Sequence, residues 1–239
     1  MDDAFIKLQL WRRRTSLIWI AVLIQVIGGL LFQVIGGILQ IARVEPSSIF
    51  SIWPVLALLG LAIITGLVLY IVGLGRFRTI LNAKDGKAIG KVRTGALLPA
   101  IGLGCVIFGV VLGLILKNFL AVVSVILLAV SVIGFLILVI IAIVKTIEGF
   151  YALKNSSTFP VKARGGASYL FVSTILGVAM VGLAFILGLI SGLHAGLHLD
   201  LSPAFEVVSY VIGLIGGMFI LILTLMGWAW IRNADPNVV

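Results

Sequence analysis

The chain has 239 residues, of which 62% are hydrophobic and only 10% are charged, and its mean hydropathy is +1.31. A soluble domain of this length cannot enclose so much apolar surface, so the composition excludes a soluble fold and places the chain in a lipid bilayer. The net charge of +9 would favour nucleic acid as the partner of a soluble protein. In a membrane protein the positions of the charges matter more than their sum, so no nucleic acid partner is expected.

Six apolar runs are long enough to cross a bilayer, since a spanning helix needs about 20 apolar residues. They cover about 15–42, 49–74, 96–117, 119–145, 166–193 and 205–231. The runs are continuous rather than alternating, which is typical of helices and not of transmembrane strands. The sequence therefore predicts an all-α polytopic membrane protein with six transmembrane helices between residues 15 and 231.

The segment before the first run, residues 1–14, contains the sequence DDAFIKLQLWRRR. Its apolar residues Phe5, Leu8 and Trp11 recur every three positions, which predicts a short amphipathic helix on the inner membrane surface. A frayed basic tail is an equal alternative, because isolated helices of this length are marginal. The first run itself is too long for the apolar region of a cleaved signal peptide, so we expect it to be retained.

The first run contains QVIGG twice, in QVIGGLLFQVIGGILQ from Gln25 to Gln40. Gln25, Gly29, Gln33 and Gly37 are spaced by four and form one slowly drifting ridge on a helix. Between membrane helices, association depends on close approach at small residues and on hydrogen bonds between helices. We interpret the ridge as a helix-packing surface, with a polar lining for a solute path as the alternative.

Further small residues recur at the same spacing in the last two runs. They are Gly188, Gly192 and Gly196 in the fifth run and Gly213 and Gly217 in the sixth. Such faces predict a tightly packed bundle, or a face reserved for another subunit.

The basic residues are distributed very unevenly. If the N-terminus is cytoplasmic, all of the 17 except Arg43 and Lys117 fall on the inner side. The positive-inside rule therefore predicts a multi-pass cell-membrane protein with both termini cytoplasmic, including a tail at 232–239. The loop after the second run carries six of these residues, and they either bind anionic lipid headgroups or serve only to fix the topology. These residues are Arg76, Arg78, Lys84, Lys87, Lys91 and Arg93.

Two inner loops are similar to each other. The sequence KVRTGALL from Lys91 aligns with KARGGASY from Lys162 at an offset of 71, and each precedes a glycine-rich run. RRRTSL from Arg12 is a weaker third copy. The repeat predicts three helical hairpins in tandem, all in the same orientation. Within them, Pro54, Pro99 and Pro203 are expected in first helical turns, where a missing N–H costs little.

The segments GLGRFRTILNAKDGKAIGKVRTGALLPAIG (73–102) and TIEGFYALKNSSTFPVKARGGASYLFVSTILG (146–177) resemble archaeal multi-pass membrane proteins of unknown function. The resemblance covers roughly residues 70–190. It implies a prokaryotic, archaeal cell-membrane protein, and it supplies no catalytic residue.

One constellation suggests metal chemistry. In HAGLHLD, His194 and His198 are four apart and share a helical face, so they can bind Zn²⁺ or Cu²⁺ with Asp200 or Glu206 as an oxygen ligand. The alternative is a pair of solvated histidines at the outer membrane interface.

Enzyme motifs are missing from the sequence, which contains no HExxH, GxSxG, Walker loop or CxxC. We therefore expect neither catalytic activity nor a cofactor. Glu148 is the acidic residue near a span, and we expect it to form a local ion pair with Lys145 rather than part of a proton relay.

The predicted function is accordingly a non-enzymatic accessory or structural subunit, with other membrane subunits or further copies of the chain as partners. The alternative is a passive channel or small-solute transporter. The two differ in whether the polar residues of the spans converge on one axis or are used in separate helix pairs. These polar residues are Gln25, Gln33, Thr65, Ser124 and Ser131.

Overall fold

The computed structural model describes the backbone of residues 3–41, 46–116, 121–196 and 203–238, and every regular element in these ranges is an α-helix. The helices are α1 (Asp3–Ile41), α2 (Pro46–Arg78), α3 (Ala83–Leu116), α4 (Ala121–Lys154), α5 (Val161–Gly196) and α6 (Pro203–Arg232). Each contains a stretch long and apolar enough to cross a membrane. The predicted all-α fold with six spans is confirmed, and the chain is a multi-pass membrane protein whose environment is a lipid bilayer.

The helices are arranged as three hairpins that close into a ring. The most extensive contacts join α1 to α2, α3 to α4 and α5 to α6, as the repeat predicts. Smaller contacts join α2 to α3, α4 to α5 and α6 back to α1. Across the ring, Tyr70 of α2 and Phe150 of α4 both meet Trp228 of α6 edge to face, with ring centroids 5.8 and 6.4 Å apart. Aromatic side chains therefore fill the centre at that level.

The largest buried side chains lie toward one end of the ring. This end, which we call the basic end, is formed by the start of α1, the loops 79–82 and 155–160, and the residues after α6. Its core includes Trp11, Ile18, Leu74, Phe77, Ile89, Leu153, Phe159, Leu170, Trp228 and Ile231. Further along the spans most large apolar side chains are exposed, which suits contact with lipid or with other membrane proteins.

A glycine in the second helix of each hairpin allows the two helices to approach closely at the basic end. A methyl group on Gly149 would lie 2.8 Å from the carbonyl oxygen of Ala88, and one on Gly227 would lie 2.9 Å from that of Gly166. In the first hairpin, Gly73 lies against Ile18 in the same way. Backbones this close leave no room for a side chain, so only glycine fits.

The start of α1 differs from the expectation for residues 1–14. Instead of a separate surface helix or a frayed tail, α1 is continuous from Asp3 to Ile41. At 1.5 Å per residue it is about 58 Å long, well beyond the thickness of a bilayer core. Trp11 is only 3% exposed, so packing within the basic end stabilises a segment that would be marginal alone.

Two of the expected proline positions were also wrong. Pro54 and Pro99 lie inside α2 and α3, because α2 begins at Pro46, three residues before its apolar run, and α3 begins at Ala83, well before its run at 96–117. Pro203 is the first residue of α6, as predicted. Hydropathy finds where a helix enters the bilayer, and α3 starts earlier because its first turns, with Ala88, Ile89 and Val92, are buried in the core of the basic end.

Candidate functional site at the basic end

The start of α3 is capped by two side chains that bond each other. Asn82 precedes the helix, and its Oδ1 accepts the backbone N–H of Asp85 at 2.8 Å. In return, Asn82 Nδ2 donates to Asp85 Oδ2 at 2.7 Å. This reciprocal capping satisfies an N–H group that the helix itself leaves unpaired. It also places an acidic side chain where the helix dipole favours negative charge.

The same carboxylate joins the two inner loops. Ser156 Oγ donates to Asp85 Oδ1 at 2.5 Å, and Thr158 Oγ1 donates to Oδ2 at 2.9 Å. Asp85 is only 1% exposed, and a buried carboxylate needs such donors to replace its lost hydration. With three side-chain donors around it, Asp85 holds the loop 155–160 against the start of α3.

A cavity of about 420 Å³ lies beside this cluster. Its walls come from the start of α1, from both inner loops and from Pro236 after α6, so parts of all three hairpins meet around it. The polar and aromatic residues that line it are Asp3, Lys7, Trp11, Asn82, Asp85, Thr158 and Phe159.

Trp11 closes one side of the cavity and fixes α1 to the remaining helices. Its indole N–H donates to the backbone oxygen of Ile231 in α6 at 2.8 Å. Its ring meets Phe77 edge to face at 4.9 Å between centroids and Phe159 at 5.8 Å. A buried indole is stabilised when its N–H has a partner, and here that partner fixes the two ends of the chain together.

Glu148 forms the predicted ion pair and a second, shorter one. Its Oε2 lies 3.5 Å from Lys145 Nζ, one turn away on α4, and 2.8 Å from Lys91 Nζ of α3. The local pair with Lys145 is confirmed. All three side chains are about half exposed, so these pairs contribute little to stability and mainly align α3 with α4.

The residues predicted to bind lipid headgroups are placed around the basic end, and their lipid binding stays a prediction. Most are exposed, whereas Arg93 is half-buried and lies beside Gly75 of α2. Arg78 extends over Gly86 and Gly90 of α3. The exposed members of the set are Arg76, Arg78, Lys84, Lys87 and Lys91.

The predicted packing ridge of α1 contacts two different helices. Gln25 lies over Gly66 of α2, where a methyl group would be 2.7 Å from Gln25 Cγ. Gln33 lies over Gly217 of α6, where a methyl group would be 2.9 Å from the amide nitrogen of Gln33. Its backbone oxygen also accepts a bond of 2.5 Å from the hydroxyl of Tyr210.

The other predicted packing glycines divide into two groups. No described residue comes within 4 Å of a methyl group placed on Gly29 or Gly213. The surroundings of Gly37, Gly188, Gly192 and Gly196 lie outside the part of the chain whose side-chain environment is described.

The predicted metal ligands lie outside the described residues as well. His194 is on α5, but the environment of its side chain is not described, and His198 lies in a segment that is not described at all. Metal binding there stays a prediction.

Sequence reasoning missed Asp85 and Ser156, and it placed Trp11 on the membrane surface rather than in the centre of this site. A signal for Asp85 was present in the sequence, because Asn82 three residues before an acid is a capping pattern. Nothing local marked Ser156 or the burial of Trp11, whose partners come from distant parts of the chain.

No protein-family model matches the chain, and no curated protein or solved structure matches it. The class of protein is therefore defined by the fold alone, as an integral membrane protein of six helices. The likeness of residues 70–190 to archaeal membrane proteins stays a resemblance.

Proposed function

We propose that the protein is a non-enzymatic accessory or structural subunit of a larger membrane complex. The packed basic end holds the three hairpins together. The remaining length of the helices offers surfaces to neighbouring membrane subunits or to a second copy of the chain.

The observation that carries this proposal is a set of glycines that face none of the residues whose side chains the structure describes. In α1, a methyl group on Gly28 would lie 3.1 Å from Ile63 of α2, whereas one on Gly29 would meet no described residue. In α6, Gly217 packs on Gln33 while Gly213 is open. The open glycines, for which no described residue lies within 4 Å, are Gly29, Gly60, Gly104, Gly134, Gly177, Gly182 and Gly213.

An open glycine lowers the stability of its helix without allowing a close contact among the described residues. In a helix interior, glycine is less favourable than alanine by about 1 kcal/mol, because its backbone loses more conformational freedom. Between membrane helices that cost is offset by close approach of a second backbone. A neighbouring helix from another polypeptide would supply the contact that the described residues do not.

The polar residues of the spans favour a subunit over a channel. Gln25 contacts α2 and Gln33 contacts α6, so the two side chains belong to separate helix pairs. Ser131 Oγ donates to the Leu127 oxygen at 2.8 Å and lies against Gly109 of α3. Thr65 is exposed, and the side chain of Ser124 is not described. A water-filled path would instead need polar groups that converge on one axis.

Gentle extraction from the native membrane, followed by native electrophoresis and mass spectrometry, tests the proposal. We expect the protein to migrate with other polypeptides or as a homo-oligomer. Gly213→Leu should abolish this assembly and keep the melting temperature of the isolated chain, whereas Ile215→Leu on the same helix should change neither.

Two results would contradict the proposal. One is a clean monomer from gently extracted membranes. The other is purified protein that conducts ions or a small solute across liposomes, which would favour the passive channel.

A further inference from the structure

A cleft of about 480 Å³ opens between α1 and α2 near the basic end. It is separate from the cavity beside Asp85 and faces outward, since Arg13, Ile20 and Arg76 in its walls are exposed. Its main lining residues are Leu10, Arg13, Arg14, Leu17, Ile20 and Arg76.

The polar part of the cleft consists of Ser16 and three arginines, and these arginines have no acidic partner among the described residues. The ion pairs among the described residues all involve Glu148, which pairs with Lys91 and Lys145. No described carboxylate therefore lies within 4 Å of Arg13, Arg14 or Arg76. Like charges held together repel one another, and an anion bound between them would remove that repulsion.

Arg14 is already positioned for such an anion. Its Nη1 donates to the backbone oxygen of Arg76 at 2.7 Å and to Thr79 Oγ1 at 2.8 Å. These bonds fix the planar guanidinium at the end of α2 and use only one nitrogen. Nη2 and Nε remain as donors, and a held guanidinium loses little further freedom when it binds a phosphate.

The apolar part of the cleft continues along α1 toward the bilayer. Leu17 and Ile20 follow Arg13 at spacings of four and seven, so they lie on the same helical face. Ile20 is 46% exposed. A ligand in this cleft would meet three cations at one end and hydrocarbon side chains at the other.

We propose that this cleft binds an anionic phospholipid, with the headgroup phosphate on Arg13, Arg14 and Arg76 and one acyl chain along Leu17 and Ile20. Arginine suits this role because its planar fork matches phosphate oxygens. Basic pockets between helices at the inner membrane surface are typical sites for such headgroups. The apolar continuation favours a lipid over free phosphate, which would leave Leu17 and Ile20 without a partner from the ligand.

Native mass spectrometry of the protein from nanodiscs of mixed phosphatidylglycerol and phosphatidylcholine tests the site. The unmodified chain should retain phosphatidylglycerol preferentially. In Arg13→Gln/Arg76→Gln, retention should fall about tenfold or more, since two phosphate contacts are removed. The control Lys7→Gln/Lys162→Gln removes the same charge from two exposed positions outside the cleft and should retain the lipid. Equal retention in both double variants would overturn the proposal.

A second measurement uses the unmodified chain, so it does not depend on how the variants fold. A phosphatidylglycerol with a photoactivatable group on its acyl chain should cross-link mainly within residues 10–20. Millimolar glycerol phosphate or inorganic phosphate should not displace it. Cross-links spread evenly over the six helices, or displacement by free phosphate, would contradict a specific lipid site.

Discussion

Asp85 and Ser156 are joined by a hydrogen bond of 2.5 Å although 71 residues separate them in the chain. Asp85 lies in the first turn of α3, and Ser156 lies in the loop that joins α4 to α5. The bond therefore ties the segment that leads into the third hairpin to the start of the second hairpin.

Ser156→Ala should lower the free energy of unfolding by about 1–3 kcal/mol, because it removes one donor from a buried carboxylate. Ser157→Ala is the matched control, since Ser157 is exposed and adjacent in the chain. Thermal unfolding of both variants in the same detergent is the measurement. Equal melting temperatures would show that the Asp85 cluster does not hold the loops together.

Gly149 and Gly134 lie on the same helix and should respond oppositely to alanine. A methyl group on Gly149 would lie 2.8 Å from the Ala88 oxygen, so the helices of the second hairpin must separate at a cost of about 1–3 kcal/mol. Gly134 meets no described residue within 4 Å, so alanine there should be neutral or slightly stabilising for the isolated chain. Melting temperatures in detergent distinguish the two, and a stable Gly149→Ala variant would contradict the packing.

The general architecture was predictable because the signals for it are local. Hydropathy over about 20 residues locates a span, and the repeat at Lys91 and Lys162 indicates the hairpins. Lys145 and Glu148 are three residues apart on one helix, so their ion pair follows from helix geometry alone.

The basic end was not predictable to the same degree, because its contacts join distant segments. Helix α1 begins at Asp3 rather than near residue 15 since Trp11 has partners in α2 and α6. The close-approach glycines do share a pattern, in which Gly73, Gly149 and Gly227 each stand five residues before a terminal Arg or Lys. Among 28 glycines, that pattern becomes visible only when the helix ends are known.

Trp11→Ala should destabilise the protein strongly, by about 3 kcal/mol or more, because it leaves a cavity between Phe77 and Phe159. Trp11→Phe keeps an aromatic ring and loses the bond to Ile231, so its cost should be about 1 kcal/mol. Phe5→Ala is the control on the same helix, since Phe5 is 50% exposed. Unfolding measured by near-ultraviolet circular dichroism in detergent should rank the variants in this order, and an unaffected Trp11→Ala variant would show that α1 is not held by its indole.

The basic end should face the cytoplasm, because the described helices carry their Lys and Arg residues toward it and the positive-inside rule places such loops inside. In a Cys105→Ser background, single cysteines at Lys87 and Ser157 should resist an impermeant thiol reagent added to whole cells and react once the cells are opened. Both positions are exposed, so protection in whole cells would reflect the membrane and not burial. A cysteine at Arg43 or Asp200, between spans on the opposite side, should react from outside. Labelling of position 87 in sealed cells, with a cytoplasmic marker protein left unlabelled, would show that the orientation is the opposite one. The arginine cleft would then face the outer leaflet.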